Sequence, residues 1–570
     1  MAALGLLRLW HPAVVFPALA AWTLFLLRGW RRPAAGERAA ASAWTAFDRV
    51  LAALLALLAG FNLFAALMPE ISHDALSTHL ALPQLFWSRG GMAPTPLHAG
   101  AGGPMLAEML YGLALPLGGE QLAHLVHWSF GATAAGMAFC LGRRLGGPRA
   151  GLLSALAFYS TPAVGILSWT SSTELGWALF QSAASAAVAL AFTDRSRRSA
   201  WLRASGLFTG LAMATGYLAW PFLGVVLVVI AWRLSLEESL GGRDKANILG
   251  GVALIALAAA AVWPLRNAWF YGAPLFPLRS DRLVTDLAGW EGLRLSRLWT
   301  ELVLPGSGAD ALGFLFALGA PLLAFVPWRV PAAHILLGFL GLGSSAWLAC
   351  GGQARTFLPA LLPAAVLYAL AAERLPALVR RSLYVLLAAA ACGSLLTSAA
   401  WFGRLEGLRV VLGQESVESY LSRPHPSYER PYHPAALFVR RSLPKTARIL
   451  IVGDDRGYGL ERDFAASPPS AGDPLVRYLK LGGPAGDLGD RLRAEGFTHL
   501  LINRAGLKAA APLRLDPAES RRYHALQRSL KSVFEWEDDP LPGEAQSWCA
   551  VAAIEPPRPT SARPTPPARR

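Results

Sequence analysis

The run Val50-Leu51-Ala52-Ala53-Leu54-Leu55-Ala56-Leu57-Leu58-Ala59-Gly60-Phe61-Asn62-Leu63-Phe64-Ala65-Ala66-Leu67-Met68 passes directly into Pro69-Glu70-Ile71-Ser72-His73-Asp74-Ala75-Leu76-Ser77-Thr78-His79-Leu80-Ala81-Leu82-Pro83. The first part carries no charge, and a helix of about 20 such residues, rising 1.5 Å per residue, crosses roughly 30 Å of hydrocarbon. The second part turns polar where the chain leaves the lipid. It sets Asp74 and two imidazoles, His73 and His79, at a membrane surface, where chemistry is expected.

Working outward, the apolar character recurs. Hydrophobic residues make up 54% of the 570, mean hydropathy is +0.38, only 16% of residues are charged and there are 20 Trp, which excludes a single soluble domain. Stretches of roughly the 17 to 25 residues a crossing needs read as spans at 12–27, 50–68, 122–141, 150–167, 175–192, 204–232, 248–263, 311–328, 332–350, 357–372 and 383–402. The 204–232 stretch is long for one crossing and is broken by Gly216 and Pro221, which predicts two short helices and about 12 crossings in all.

Arg and Lys in short loops mark the cytoplasmic side. One face collects Arg28, Arg31, Arg32 and Arg38; Arg143, Arg144 and Arg149; Arg195, Arg197, Arg198 and Arg203; Arg233, Arg243 and Lys245; Arg329; and Arg374, Arg380 and Arg381. The opposite face then holds 69–103, the turn 170–174, the long loop 266–308, the turn 351–356 and everything after Gly403. On this reading the net charge of +15 is mostly a topology signal rather than a nucleic-acid footprint.

Cys140, Cys350 and Cys392 fall in spans and Cys549 stands alone, so neither a disulfide framework nor a CxxC metal cluster is indicated. The first span lacks a clear small-residue cleavage site and reads as an anchor. After Phe402 charge rises and apolar runs shorten. Strand-like runs at 448–452, 499–502, 532–536 and 549–554 alternate with helical patterns at 474–481, 488–495 and 519–530, which suggests a small α/β layer structure. The Pro- and Arg-rich tail 556–570 has the composition of a disordered segment. The fold class is therefore a polytopic α-helical membrane protein with a small C-terminal α/β soluble domain. Its parts are an anchor helix and cytoplasmic linker (1–49), a transmembrane core (50–402), an outer-face α/β domain (403–555) and the tail.

Asp74 is placed to take a proton from an acceptor hydroxyl as a general base; the plainer role is a solvated acid capping the helix that opens at Ala75. Glu108 sits in an apolar stretch, 105–117, too short to span, and Glu174 opens the span 175–192. A carboxylate at membrane depth costs roughly 2.5 to 3.5 kcal/mol, so each needs a partner, an interfacial position or a function. For Glu174, complementing the helix dipole from the first turn would be enough. Arg266, in Trp263-Pro264-Leu265-Arg266-Asn267, and Arg355, in Gly351-Gly352-Gln353-Ala354-Arg355, fall on the same face as Asp74. Guanidinium groups there suit a bidentate grip on phosphate, with headgroup snorkelling as the simpler role for either alone. His124 and His127 follow Glu120 at helical spacing and imitate a metal site, yet without further ligands they read as packed histidines. The segment Ile451-Val452-Gly453-Asp454-Asp455-Arg456-Gly457 lacks the GxGxxG phosphate turn, and no GxSxG, Walker or HExxH motif occurs.

Taken together, the Asp-Ala-Leu-x-x-His-Leu-Ala-Leu-Pro run (Asp74 to Pro83), Glu108-Met109-Leu110-Tyr111, the hinge Gly142-Arg143-Arg144-Leu145-Gly146 and Thr173-Glu174 resemble the polyprenyl-phosphate-sugar-dependent glycosyltransferases of the C superfold. Trp263-Pro264-Leu265-Arg266-Asn267 with Gly272-Ala273-Pro274-Leu275-Phe276-Pro277 is similar to a motif pair of the bacterial branch related to protein O-mannosyltransferases and the lipid A aminoarabinose transferase. The resemblance covers about residues 50 to 402. Two departures stand out: Glu174 replaces the usual Asp of the second acidic motif and keeps its charge, while Gly216-Tyr217 replaces Lys-Tyr and removes a donor-phosphate contact.

The resemblance implies an inverting membrane glycosyltransferase that moves a sugar from a polyprenyl-phosphate donor to an acceptor hydroxyl on the non-cytoplasmic face. Asp74 would be the base, Glu108 and Glu174 would shape the acceptor site or orient it, Arg266 and Arg355 would hold the departing phosphate, and His79 and Asn267 would contact acceptor or donor. No cofactor is implied; a divalent metal is possible but not required. The expected partners are the lipid-linked sugar, a lipid, glycan or protein acceptor and membrane lipids, without nucleic acid. The expected location is the bacterial inner (plasma) membrane, with the site and C-terminal domain on the periplasmic face. A polysaccharide polymerase or ligase and a non-enzymatic lipid or sugar transporter are the alternatives; the transporter should show internal repeats and midplane acids, which the sequence lacks.

Overall fold

The computed structural model describes residues 2–15, 17, 44–95, 97–278, 312, 315–349, 354–466, 473–481, 487–509, 516–537 and 548–555, which divide into two compact units. The first comprises 1–94, 100–420 and 425–428, and the second 95–99, 421–424 and 429–570. The stretches 279–311 and 556–570, with most of 12–27 and Cys350, lie outside the described residues, so the expectations placed on them go unanswered.

The first unit is helical and spans a membrane. Its opening long helix, Ala46–Ala65, starts on a capping box in which Thr45 Oγ1 accepts from the Asp48 amide (3.2 Å) and Asp48 Oδ2 accepts from the Thr45 amide (2.9 Å). Asp48 also takes both arms of the Arg149 fork, at 2.9 and 3.1 Å, which docks the start of helix Pro148–Tyr159. Among the described residues seven helices are long and apolar enough to cross a membrane, or eight if the bent pair Gly242–Ala260 and Val262–Tyr271 forms one broken span. About 12 crossings were expected from apolar length alone. The 150–167 stretch breaks at Ser160-Thr161-Pro162 into Pro148–Tyr159 and Pro162–Leu167, neither long enough to span. The 204–232 stretch breaks at Gly216, as its sequence suggested, into Arg198–Thr215 and Pro221–Ser235.

Helix contacts follow small residues. A Cβ on Gly206 would stand 2.8 Å from the Val252 carbonyl oxygen, and one on Gly210 would stand 2.3 Å from that of Ala256. This GxxxG pair lets helix Arg198–Thr215 lie directly on helix Gly242–Ala260. Helix Leu106–Gly146 is continuous except at Gly118 and Gly119, where φ of +66° at Gly119 requires glycine and splits off the short segment bearing Glu108. Two candidate spans lie deepest, Glu174–Thr193 at 89% buried and Arg355–Ala372 at 78%, against 44% or less for the others. Both begin with a residue singled out from the sequence.

The second unit is built on a five-stranded sheet of β1 (Arg448–Val452), β2 (Asp463–Ala465), β3 (His499–Asn503), β4 (Leu530–Glu537) and β5 (Trp548–Ile554), in the order β2-β1-β3-β5-β4. Strand β1 pairs parallel with β2 and β3, whereas β5 is antiparallel to β3 and β4. Leu450, Val452, Leu475, Leu479, Leu492, Phe497, Leu500 and Leu526 form its core. Beyond the end of β1, buried Asp454 accepts from Arg456 Nε (2.8 Å) and Nη2 (2.6 Å), from Asn503 Nδ2 (2.8 Å) and from the amides of Asp455 and Arg456. Burial pushes the Asp454 carboxyl upward, but the Arg456 charge and these hydrogen bonds hold it below the ordinary carboxylate value. All its acceptor capacity is consumed, so the segment that lacked a nucleotide motif serves as a structural clamp. Asp454→Ala should strand the Arg456 charge and destabilise this unit by about 3 to 5 kcal/mol, read from its thermal or denaturant transition.

Candidate active site

Asp74, Glu174 and Arg355 come together from three separate parts of the first unit. Asp74 precedes the one-turn π-helix Ala75–His79, Glu174 is the first residue of its deeply buried helix, and Arg355 lies in the 3-10 turn Ala354–Phe357. Arg355 Nη1 stands 3.3 Å from Asp74 Oδ2 and 3.5 Å from Glu174 Oε1, so one guanidinium nitrogen bridges two carboxylates. The Asp74 side chain is 54% exposed and that of Glu174 13%. Asp74 makes no side-chain capping hydrogen bond, which removes the plainer role considered for it.

A second pair adjoins them. His79 Nδ1 is 2.8 Å from Glu108 Oε1, and the other Glu108 oxygen is buried with no hydrogen-bond partner among the described residues. Burial pulls the His79 imidazole downward, yet the hydrogen bond and charge of Glu108, aided by Glu174 and Asp74, raise it to about 8. Because the folded value exceeds the ordinary 6.5, this stabilisation is complete below pH 6.5 and is lost as pH rises through about 8. The protein should lose about 2 kcal/mol between pH 6 and 9. Thermal melts of the detergent-solubilised chain at the two pH values should show that loss, and His79→Gln should flatten it.

The other singled-out residues sit in separate clusters. Arg266 is 2% exposed and donates to Asn267 Oδ1 (3.0 and 2.7 Å), the Gly103 carbonyl (2.9 Å) and Met105 Sδ (3.3 Å), with its guanidinium 5.0 Å from the Trp263 ring centroid. Arg266 thus bonds within its own stretch of chain and to the 103–105 segment, whereas Arg355 faces Asp74 and Glu174. Asn267, expected to touch acceptor or donor, is fully buried, with Nδ2 within reach of the Gly102 carbonyl (2.7 Å), the Phe276 carbonyl (2.9 Å) and the Tyr217 hydroxyl (3.0 Å). Its Oδ1 receives the buried guanidinium of Arg266, and its Nδ2 ties Gly102 to the 272–277 turn. Gly216, where the resemblance calls for Lys, is extended, and a Cβ there would meet open space.

His124 and His127 are fully buried and act as fasteners. His124 Nδ1 lies 2.9 Å from the Ala66 carbonyl oxygen and Nε2 3.0 Å from Glu70 Oε2; His127 Nδ1 lies 2.9 Å from the Leu167 carbonyl oxygen, and its Nε2 accepts from the Leu175 amide at 3.3 Å. Among the described residues no three His, Cys, Asp or Glu side chains gather in a metal-holding arrangement. The sequence reading gave no role to Glu70 or Tyr111. Tyr111 donates to the Ser172 carbonyl, and Glu70 could have been noticed as an acid set directly after an uncharged span. Beginning at Thr356 and Phe357, next to Arg355, an open groove runs along Trp177, Phe222, Phe339 and Trp347.

No sequence family model matches the chain, and no curated protein matches it by sequence. Solved structures do match. ArnT of Cupriavidus metallidurans in the apo state superposes with a TM-score of 0.56 at 15% identity, covering 89% of this chain and 99% of that one. The same enzyme bound to undecaprenyl phosphate gives 0.54 at 14% identity, covering 90% and 100%. An oligosaccharyltransferase of Archaeoglobus fulgidus, in complex with Zn and sulfate, gives 0.50 at 15% identity, covering 87% and 72%. At these identities the likeness is one of fold. The chain is an integral membrane protein with the fold of the C-superfold glycosyltransferases, the family its motifs resemble.

Proposed function

We propose that the chain is a membrane glycosyltransferase that moves a sugar from a polyprenyl-phosphate carrier to an acceptor hydroxyl, with inversion, on the non-cytoplasmic face of a bacterial inner membrane. The observation that carries this reading is the Asp74–Arg355–Glu174 constellation: an exposed carboxylate beside a half-exposed guanidinium. Asp74 takes the proton of the acceptor hydroxyl, whose oxygen bonds to the anomeric carbon as the bond from that carbon to the phosphate oxygen breaks on the opposite side. Arg355 receives the charge that develops on the departing phosphate. Glu174 orients Arg355, while the His79–Glu108 pair borders the acceptor side.

The apolar groove beside Arg355 suits the hydrocarbon tail of such a carrier, and the C-superfold fold agrees with this use. Arg266, locked in its own cluster, shapes the 102–105 and 272–277 segments; direct phosphate contact by it would require that cluster to open. The test is mass spectrometry of lipids that co-purify with the chain, followed by transfer in proteoliposomes. A polyprenyl-phosphate sugar should co-purify and be consumed as product forms. Recovery of bilayer phospholipid alone, with no transfer from a polyprenyl-phosphate-sugar pool, would refute the reading.

A further inference from the structure

We propose that Glu70, which the chemistry above does not use, is the positioning residue that sets the distance between Asp74 and Glu174. The inference rests on the proposed function, in which Asp74 is the base and Glu174 orients Arg355. Glu70 is 1% exposed, so it cannot touch substrate. Its Oε1 accepts from the Ser72 amide at 2.8 Å, which folds the segment leading to Asp74 around the carboxylate. Its Oε2 accepts from the Ser171 amide at 2.8 Å, which fastens the turn leading to Glu174 onto the same side chain. One carboxylate therefore grips both short segments just ahead of the two acids that Arg355 must reach together.

The grip is itself held. Since the Ala66 carbonyl can only accept, His124 Nδ1 bears a proton, and one further proton is shared between His124 Nε2 and Glu70 Oε2 at 3.0 Å. The buried pair is thus neutral overall, as a site this dry requires. Glu120 Oε1 accepts from the Glu70 amide at 3.2 Å, adding a second tie to helix Leu106–Gly146, which also supplies Glu108. From the other side, Tyr111 donates to the Ser172 carbonyl, and Ser172 Oγ lies 3.3 Å from His127 Nε2. Glu70 is the one side chain among these that bonds to both segments.

The test uses the full-length chain with its four cysteines replaced by alanine and spin labels at His73→Cys and Thr170→Cys, beside but not at the charged groups. Pulsed electron resonance should give one narrow distance in this parent and a broadened or displaced distribution in Glu70→Gln, whose amide presents a donor where an amide N–H must be accepted. Should Glu70→Gln fail to fold, Glu70→Asp, too short to reach both amides, is measured instead. Glu237→Gln, which loosens only the pair with Arg198, serves as the control and should match the parent. An unchanged narrow distance in the Glu70 variant overturns the proposal.

Transfer is then measured without labels, using the polyprenyl-phosphate-sugar pool extracted from the host membrane. A base misplaced against the acid that orients Arg355 should lower kcat by about 100-fold with KM for the donor little changed. A raised KM at normal kcat counts against positioning. A displaced distance with normal kcat and KM leaves Glu70 as the spacer and overturns the assignment of Asp74 and Glu174 to the reaction.

Discussion

Asp74→Asn should lower sugar transfer by about 100 to 10,000-fold while expression, membrane insertion and melting temperature stay close to the parent, because a general base contributes that much to the rate. The structure sharpens this expectation. Asp74 contributes no capping hydrogen bond, so the amide costs the helix at Ala75 nothing through its cap, and at 54% exposure the side chain demands no packing. The ion pair it shares with Arg355 is half-exposed and worth little to stability. Binding of undecaprenyl phosphate, followed by native mass spectrometry, should survive, since on the proposed function the phosphate is held by Arg355. Transfer at the parent rate in the Asn variant, at equal expression, would end the assignment of Asp74 as base.

Arg355→Lys should cost about 100 to 1,000-fold in turnover, or roughly 2.7 to 4 kcal/mol of transition-state stabilisation. Lysine keeps the charge but loses the planar fork, and a single ammonium cannot serve both a carboxylate and a phosphate in fixed directions. Arg266→Lys should fail differently. The 2%-exposed guanidinium bonds to Asn267 Oδ1 twice and to the Gly103 carbonyl, and lysine would leave some of these acceptors unpaired, so the melting temperature should fall along with activity. Measuring stability and turnover on both variants separates the two roles: a stable, slow Arg355→Lys and an unstable Arg266→Lys are expected, and full activity in Arg355→Lys would mean that it merely snorkels.

Much of this was legible in the sequence because lipid and sheet both impose simple periodicities. The expected strands at 448–452 and 499–502 coincide with β1 and with all but the last residue of β3, since buried strands read as unbroken apolar runs. The three-residue β2, opening on Asp463, carries too little pattern to be seen. Apolar length hid a break in the 150–167 stretch, at Ser160-Thr161-Pro162. Asp74, Glu174 and Arg355 were each visible as charges at the ends of apolar spans. Their convergence was not, because 100 residues separate the first two and 181 the last two, and one sequence carries no sign of such distant pairing. Glu70 escaped for a related reason: the two backbone amides it grips leave no mark in side-chain identity, and its side-chain partner His124 lies 54 residues away.

The sharing of Arg355 between two carboxylates bears on the order of events. While its guanidinium lies 3.3 Å from Asp74 Oδ2, that oxygen is engaged by Arg355 rather than open to an acceptor hydroxyl. A phosphate group that draws Arg355 toward itself competes with that pair and thereby uncovers the base. On the proposed function, the carrier lipid thus frees the base that will take the acceptor's proton, and an acceptor that arrives first meets a carboxylate already engaged. Steady-state kinetics should then show compulsory order, carrier before acceptor, since the latch turns only when the carrier's phosphate arrives.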